Sequence, residues 1–107
     1  MKETYDSIFW ATVKEFDLSP VEVLLTALIF GLSKKRGYCF ASKDYLAKII
    51  NVSDGTVFNN LRKLKEKGLI REGVSNDEYG TKGIQLTEKW HLFVKSKYEK
   101  VYDKIYK

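Results

Sequence analysis

Hydrophobic residues between positions 42 and 70 recur every three or four residues, which predicts two short helices in close succession. The apolar side of the first helix consists of Leu46, Ala47, Ile49 and Ile50. The apolar side of the second helix consists of Val57, Phe58, Leu61 and Leu64. The remaining positions of the second helix are mostly polar, so this helix is expected to have one buried face and one exposed face.

Residues with strong positional preferences mark where both helices begin and end. Ser42 and Ser53 are of a type that favours the N-cap position, and Gly68 is of the type that ends a helix. Asn51 tolerates the left-handed backbone that a sharp turn requires. Because only residues 51–53 remain between the helices, the two must cross steeply, as in a helix-turn-helix motif.

Another helix is predicted before this pair. Ser19, Pro20 and Glu22 form a strong helix start, with a capping box between Ser19 and Glu22. Its apolar stripe consists of Leu24, Leu25, Leu28, Ile29 and Leu32. The helix ends near a basic triplet at residues 34–36, which either contacts phosphate or is a solvated helix end. The second interpretation is slightly favoured.

Short segments with strand composition flank the helix pair. Residues 38–41 precede it, and residues 69–75 and 82–86 follow it, separated by a turn-rich tip at residues 76–81. The last two strands and the tip form a β-hairpin. Cys39 is the only cysteine and is expected to be a small buried residue of the first strand.

Both ends of the chain leave two interpretations open. Residues 2–17 suit either a helix or a strand, and we favour a helix that packs on the domain. Residues 88–106 form a final helix with heptad spacing. The predicted seam consists of Val94, Tyr98, Val101 and Ile105. The helix either folds back and buries the seam within the chain or forms a dimer contact, and the dimer is slightly favoured.

The segment from Tyr45 to Ile70, YLAKIINVSDGTVFNNLRKLKEKGLI, resembles a winged helix-turn-helix DNA-binding domain. The similarity covers residues 18–86 and is closest to domains of small replication, transfer and regulatory proteins of bacterial plasmids and phages. It implies a mainly α fold with a small β-hairpin (α+β), in which residues 1–107 form one domain. Residues 18–86 would be its core, carrying an N-terminal and a C-terminal extension.

The resemblance also implies that the second helix of the motif enters the major groove of DNA, N-terminal end first. Asn can pair with adenine through two hydrogen bonds, and Ser or Thr can bond to bases or phosphates. Basic residues in the C-terminal half of that helix would flank phosphates. The predicted DNA-binding residues are Lys43, Tyr45, Ser53, Asp54, Thr56, Asn59, Asn60, Lys63, Lys67, Asn76, Tyr79 and Lys82.

The start of the recognition helix departs from the family pattern. Relatives usually carry Arg or Lys directly after the capping serine, whereas this chain has Asp54 and Gly55. A carboxylate there repels phosphate unless it accepts a hydrogen bond from the amino group of cytosine. Part of the contact is therefore expected to fall on the wing, which is the β-hairpin at residues 69–86. The recognition helix, which is the second helix of the motif, is still favoured as the main contact.

Composition and charge narrow the class of protein. The chain has 107 residues, a net charge of +5 and a pI of about 9.2, which suits a polyanionic partner but is also common in proteins that bind none. The sequence has one histidine, His91, and no phosphate loop, nucleophile motif or Cys/His ligand set. We therefore expect a non-enzyme without cofactor or metal. No signal peptide or long apolar stretch is present, so a cytoplasmic protein is expected.

Three hypotheses about function follow. The first is a sequence-specific, dimeric binder of double-stranded DNA, acting as a transcriptional regulator or as an accessory factor at a plasmid or phage replication origin or conjugative transfer origin, where it would recruit a larger enzyme. The second is a protein-protein interaction module on a winged-helix scaffold, suggested by Asp54, Gly55, Asp77 and Glu78. The third, ranked last, is a regulator that responds to a small molecule bound among the terminal aromatic residues.

Overall fold

The computed structural model describes the backbone of residues 5–34, 37–74, 83–97 and 99. Its elements are α1 Tyr5–Phe16, α2 Pro20–Leu32, α3 Lys43–Ile50, α4 Asp54–Glu66, β1 Ile70–Val74, β2 Gly83–Leu86 and α5 Glu88–Lys97. The predicted fold class, mainly α with a small β-hairpin, is confirmed. The preference for a helix in the N-terminal segment is also confirmed.

The helix starts follow the predicted capping chemistry. The Ser19 hydroxyl accepts a hydrogen bond from the backbone N–H of Glu22, and the Glu22 carboxylate accepts one from the backbone N–H of Ser19, at 3.3 and 3.1 Å. The Ser42 and Ser53 hydroxyls cap α3 and α4 in the same way, each accepting from a backbone N–H at 3.1 Å. These bonds satisfy amide groups that have no partner within their own helix.

The turn between α3 and α4 has the conformation that its residues favour. Asn51 has φ 58° and ψ 51°, which places it in the left-handed region. The backbone N–H of Val52 donates to the carbonyl oxygen of Ala47 at 3.0 Å, which closes the turn. At the other end of α4, Gly68 has φ 77°, where a side chain would be strained. The predicted helix-turn-helix connection is therefore confirmed.

The core lies between the helix-turn-helix pair, α2, the hairpin and α5. It consists of Leu18, Leu25, Ile29, Phe30, Cys39, Leu46, Ala47, Val57, Leu61, Leu64, Leu69, Ile70, Ile84, Leu86, Trp90 and Val94. Trp90 contacts Phe30 with 5.2 Å between ring centroids, which joins α5 to α2. Phe93 contacts Phe16 edge to face at the same distance, which joins α5 to α1.

The two strands of the hairpin pair antiparallel, with Ile70 opposite Leu86 and a bulge between Glu72 and Val74. The strand predicted at residues 38–41 is reduced to a single bridge, in which Cys39 and Ile84 exchange two backbone hydrogen bonds of 2.7 and 2.9 Å. Gly83 permits this close approach, because a Cβ there would collide with the ring of Tyr38 and lie 2.8 Å from the Cys39 carbonyl oxygen.

Four residues assigned to apolar helix faces are exposed instead. Leu24, Leu32, Ile49 and Phe58 lie at the edges of their stripes, outside the arc that the small core covers. Hydrophobic spacing predicts the side of a helix that is buried, but not the width of the buried arc. In the part of the chain that the structure describes, no helix is long and apolar enough to cross a membrane.

The structure corrects the assignment of Val94 to a dimer seam. Its side chain is fully buried in the chain's own core, together with Trp90. At this position α5 therefore packs against its own chain, because the first turns of the helix lie over α1 and α2. The other seam residues, Tyr98, Val101 and Ile105, lie outside the described residues.

Shortening Val94 tests this packing. Val94→Ala should lower the free energy of unfolding by about 1.5–3 kcal/mol, since it removes fully buried methyl groups. The matched control is Leu92→Ala on the exposed side of α5, which should change it by less than about 0.5 kcal/mol. Chemical denaturation of both variants measures the difference. Equal stabilities would show that Val94 is not part of the core.

Candidate nucleic-acid interface

The outward face of α4 is polar and points away from the core into solvent. Gly55, Phe58, Asn59 and Arg62 are spaced three, four and seven residues apart and are all exposed, so they form one stripe along this face. The opposite face holds Val57, Asn60, Leu61 and Leu64, all buried. Burial of that face fixes the rotation of α4 about its axis and hence which side chains point outward.

Cations are concentrated towards the C-terminal half of this face. Arg62 and Lys63 are exposed, and within the described ranges neither has an acidic partner within ion-pair distance. Lys65 lies 3.3 Å from the Glu72 carboxylate of β1, and Lys43 lies 4.0 Å from the same group. One carboxylate on the hairpin thus partly offsets two lysines, whereas Arg62 and Lys63 keep their full charge for a partner.

The N-terminal end of α4 carries hydroxyl groups and a carboxylate. Ser53 caps the helix, and its hydroxyl lies 2.9 Å from the half-buried hydroxyl of Thr56. Asp54 is exposed, as predicted. On α3, Tyr45 is exposed and Lys43 is half-buried, with its Nζ 4.7 Å from the centroid of the Phe58 ring. Six predicted contact residues therefore lie on or beside the outward face of α4: Lys43, Ser53, Asp54, Thr56, Asn59 and Lys63.

The structure corrects the placement of Asn60 on the exposed face. Its side chain is buried, and its amide donates to the Thr56 carbonyl oxygen at 2.8 Å. Its Oδ1 accepts a hydrogen bond from the Ser19 hydroxyl at 3.2 Å. The Asn60 side chain points inward, where it links α4 to the start of α2. It is therefore not available to contact DNA.

Lys67 is also corrected. Its Nζ lies 2.8 Å from one oxygen of the Glu22 carboxylate and 3.1 Å from the other, and it donates to the Asp17 carbonyl oxygen at 2.7 Å. The Glu22 side chain is almost fully buried. A buried carboxylate requires such partners, so the ammonium group of this lysine is engaged within the fold rather than left free for a phosphate.

The predicted contacts in the wing cannot be placed in the same way. Asn76, Tyr79 and Lys82 lie outside the described residues. On α4, the hydrophobic pattern assigned Phe58 to the core, but its side chain is 56% exposed. Its spacing from Leu61 suggested a core position. Phe58 lies three residues after Gly55 and four before Arg62. Its spacing therefore fits the outward stripe as well as it fits the core face.

Burial shifts the pKa of two titratable groups outside this face. Burial raises the pKa of the Cys39 thiol, so the reactive thiolate is disfavoured. Burial lowers the pKa of His91, so its neutral form is favoured at pH 7. The described residues contain no group of three or more His, Cys, Asp or Glu side chains that could hold a metal ion.

The helix-turn-helix pair α3 and α4 lies between α2 and the hairpin in the chain. Together these elements form a winged helix-turn-helix fold. Residues 17–70 match the profile of a family described as a helix-turn-helix domain, and the chain belongs to that family. No curated protein matches the sequence.

Solved structures support the same fold. MepR of S. aureus, solved in complex with DNA, is 22% identical with a TM-score of 0.58, over 94% of this chain and 77% of that chain. The transcriptional regulator PA3341 is 20% identical with a TM-score of 0.57, over 94% of this chain and 69% of that chain. MarR is 18% identical with a TM-score of 0.50, over 94% of this chain and 73% of that chain. At these identities the likeness shows the fold alone.

The Glu22 network has a testable pH dependence. Burial acts to raise the pKa of Glu22, but the hydrogen bonds from Lys67 and Ser19 outweigh it, so the pKa is lowered from 4.5. The ionised carboxylate therefore stabilises the fold above that pH, and this contribution is lost as the pH falls through the folded-state pKa. Glu22→Gln should lower the free energy of unfolding at pH 7 by about 1–3 kcal/mol, and by less at about pH 3.

The control for this prediction is Glu66→Gln at the exposed end of α4, which should change the free energy of unfolding at pH 7 by less than about 0.5 kcal/mol. Thermal or denaturant unfolding at both pH values measures the effect. A cost of Glu22→Gln that does not change with pH would contradict the role of the ionised carboxylate.

Proposed function

We propose that this chain is a sequence-specific DNA-binding protein that regulates transcription, with α4 lying in the major groove of duplex DNA. The observation that carries the proposal is the outward face of α4. It combines an amide, Asn59, with two cations that have no acidic partner in the described ranges, Arg62 and Lys63, on a helix fixed against the core. An α-helix fits the width of the major groove, where base edges are accessible.

The side chains of this face match the chemistry of a base-pair edge and its flanking phosphates. The Asn59 amide can donate and accept, as pairing with adenine requires. Arg62 and Lys63 supply the charge that binds phosphate and that makes binding sensitive to salt. Asp54, at the end that enters the groove, can accept from the amino group of cytosine and would repel phosphate elsewhere. Such a mixed face favours selective over uniform binding.

The comparisons support this proposal through fold. MepR has the same fold and was solved in complex with DNA, and PA3341 is described as a transcriptional regulator. We infer the same class of activity for this chain because the residues on its own recognition helix suit it. We propose further that residues 1–107 form one DNA-binding domain without enzymatic activity.

We also propose that the protein acts as a homodimer on a two-part site. Support comes from the sequence, in which Tyr98, Val101 and Ile105 are spaced three and four residues apart, as in a heptad pattern. The corrected position of Val94 confines this seam to the residues after Lys97. A role at a plasmid or phage origin of replication or transfer, with a larger enzyme as partner, rests on the sequence resemblance alone.

Binding to duplexes selected from a randomised pool tests the proposal. The full-length chain should enrich a defined sequence, and Asn59→Ala should weaken binding to it by about 5- to 100-fold through loss of an adenine contact. Fluorescence anisotropy measures the dissociation constants. Enrichment of no sequence, with flat affinity across duplexes, would overturn the proposal and favour a protein-interaction module on the same scaffold.

Two lysines four residues apart provide a matched pair for the salt dependence. Lys63→Ala should reduce the slope of log K against log salt by about 1, because one phosphate contact is lost. Lys67→Ala should leave the slope unchanged and instead lower the melting temperature, since Lys67 is bound to Glu22. Equal slope changes in both variants would contradict the assignment of Lys63 to DNA and Lys67 to the fold.

A further inference from the structure

Phe58 is an exposed aromatic residue in the middle of an otherwise polar surface. The other large apolar side chains of α4, Val57, Leu61 and Leu64, are at most 1% exposed, whereas Phe58 is 56% exposed. It shares the outward stripe with Gly55, Asn59 and Arg62. The proposed binding face therefore contains a hydrophobic contact as well as hydrogen-bonding and charged groups.

Lys43 adds a positive charge beside this ring. Its Nζ lies 4.7 Å from the ring centroid, which is within the range of a cation–π contact. The lysine comes from α3, so the ring is contacted from outside its own helix. This cation, which the Glu72 carboxylate at 4.0 Å offsets only in part, favours a polyanion as the molecule that approaches the ring.

Gly55 leaves an unfilled space on the stripe, one turn before Phe58. A Cβ at position 55 would meet nothing closer than the Ser53 hydroxyl at 3.9 Å, and its backbone is ordinary helix. The fold therefore does not require glycine at this position, and glycine disfavours a helix relative to alanine. The backbone at Gly55 is therefore open to a partner, one helical turn before Phe58.

We propose that Phe58, with the space at Gly55, contacts the 5-methyl group of a thymine in the major groove and makes binding selective for it. This inference rests on the proposed function. Thymine is the only standard base that presents a methyl group in the major groove. The contact joins two apolar groups and removes both from water. Together with Asn59, which suits adenine, it predicts that the target contains A·T pairs beneath the middle of α4.

Replacement of thymine by deoxyuridine tests the contact, because it removes only the methyl group. In the duplex selected by the full-length protein, each thymine is replaced in turn and the dissociation constant is measured by anisotropy. At one or two positions the wild-type protein should bind about fourfold more weakly, the change expected for one buried methyl group. Phe58→Ala should bind the thymine duplex at least about fourfold more weakly and no longer distinguish thymine from uracil.

Two further variants separate this contact from general effects. Gly55→Ala should raise the melting temperature by roughly 2–6 °C yet weaken binding, because its methyl group occupies the open space at position 55. Leu92→Ala, which changes another exposed apolar residue, should keep both the affinity and the discrimination.

A duplex in which cytosine is replaced by 5-methylcytosine at neighbouring positions shows whether any methyl group there is sufficient for the contact. Tighter binding to that duplex in the wild type, but not in Phe58→Ala, would support the contact.

The failure of this inference can be told apart from failure of the proposed function. If the wild-type protein selects a duplex but binds thymine and uracil equally at every position, the thymine contact is overturned and the DNA-binding function stands. The same holds if Phe58→Ala keeps its discrimination. If no sequence is selected at all, the proposed function fails and the inference fails with it.

Discussion

The ion pair between the buried carboxylate of Glu22 and Lys67, together with burial of the apolar face of α4, holds the recognition helix in its orientation. A charged group that is removed from water must be compensated, and here the compensation comes from the end of α4 and from the start of α2. Lys67, at the end of α4, lies 2.8 Å from this carboxylate, and the backbone of Ser19, at the start of α2, donates to it. The Asn60 amide adds a second link between the same two helices through the Ser19 hydroxyl. A sliding or rotation of α4 would break these bonds together.

The exposed face of α4 follows from this constraint. With Asn60 and the apolar residues directed inward, the stripe that includes Asn59 and Arg62 must face away from the core. Rigid placement matters for recognition, because hydrogen bonds to base edges tolerate little displacement. Polar residues of one helix thus divide into two groups with different tasks. Asn60 and Lys67 are bound to α2, whereas Arg62 and Lys63 are exposed and have no ion pair in the described ranges.

Much of the fold could be predicted because its signals are local. The serine caps, the left-handed Asn51 and the terminal Gly68 each act through their own backbone, and all occur as predicted. The site was predicted less completely, because burial of a polar residue depends on distant partners. Nothing near Asn60 or Lys67 in the sequence reveals that Ser19 and Glu22 lie beside them. Phe58 and Val94 fit two faces equally well by spacing, and only tertiary packing decides between them.

The central claim is that the outward stripe of α4 makes the principal contact with duplex DNA. Backbone amide chemical shifts, recorded by NMR while the selected duplex is added, test it most directly. We predict that the largest shifts occur at Gly55, Asn59 and Arg62 and that the amides of α5 change little. Shifts concentrated in α1 and α5, with the α4 amides unchanged, would contradict the claim.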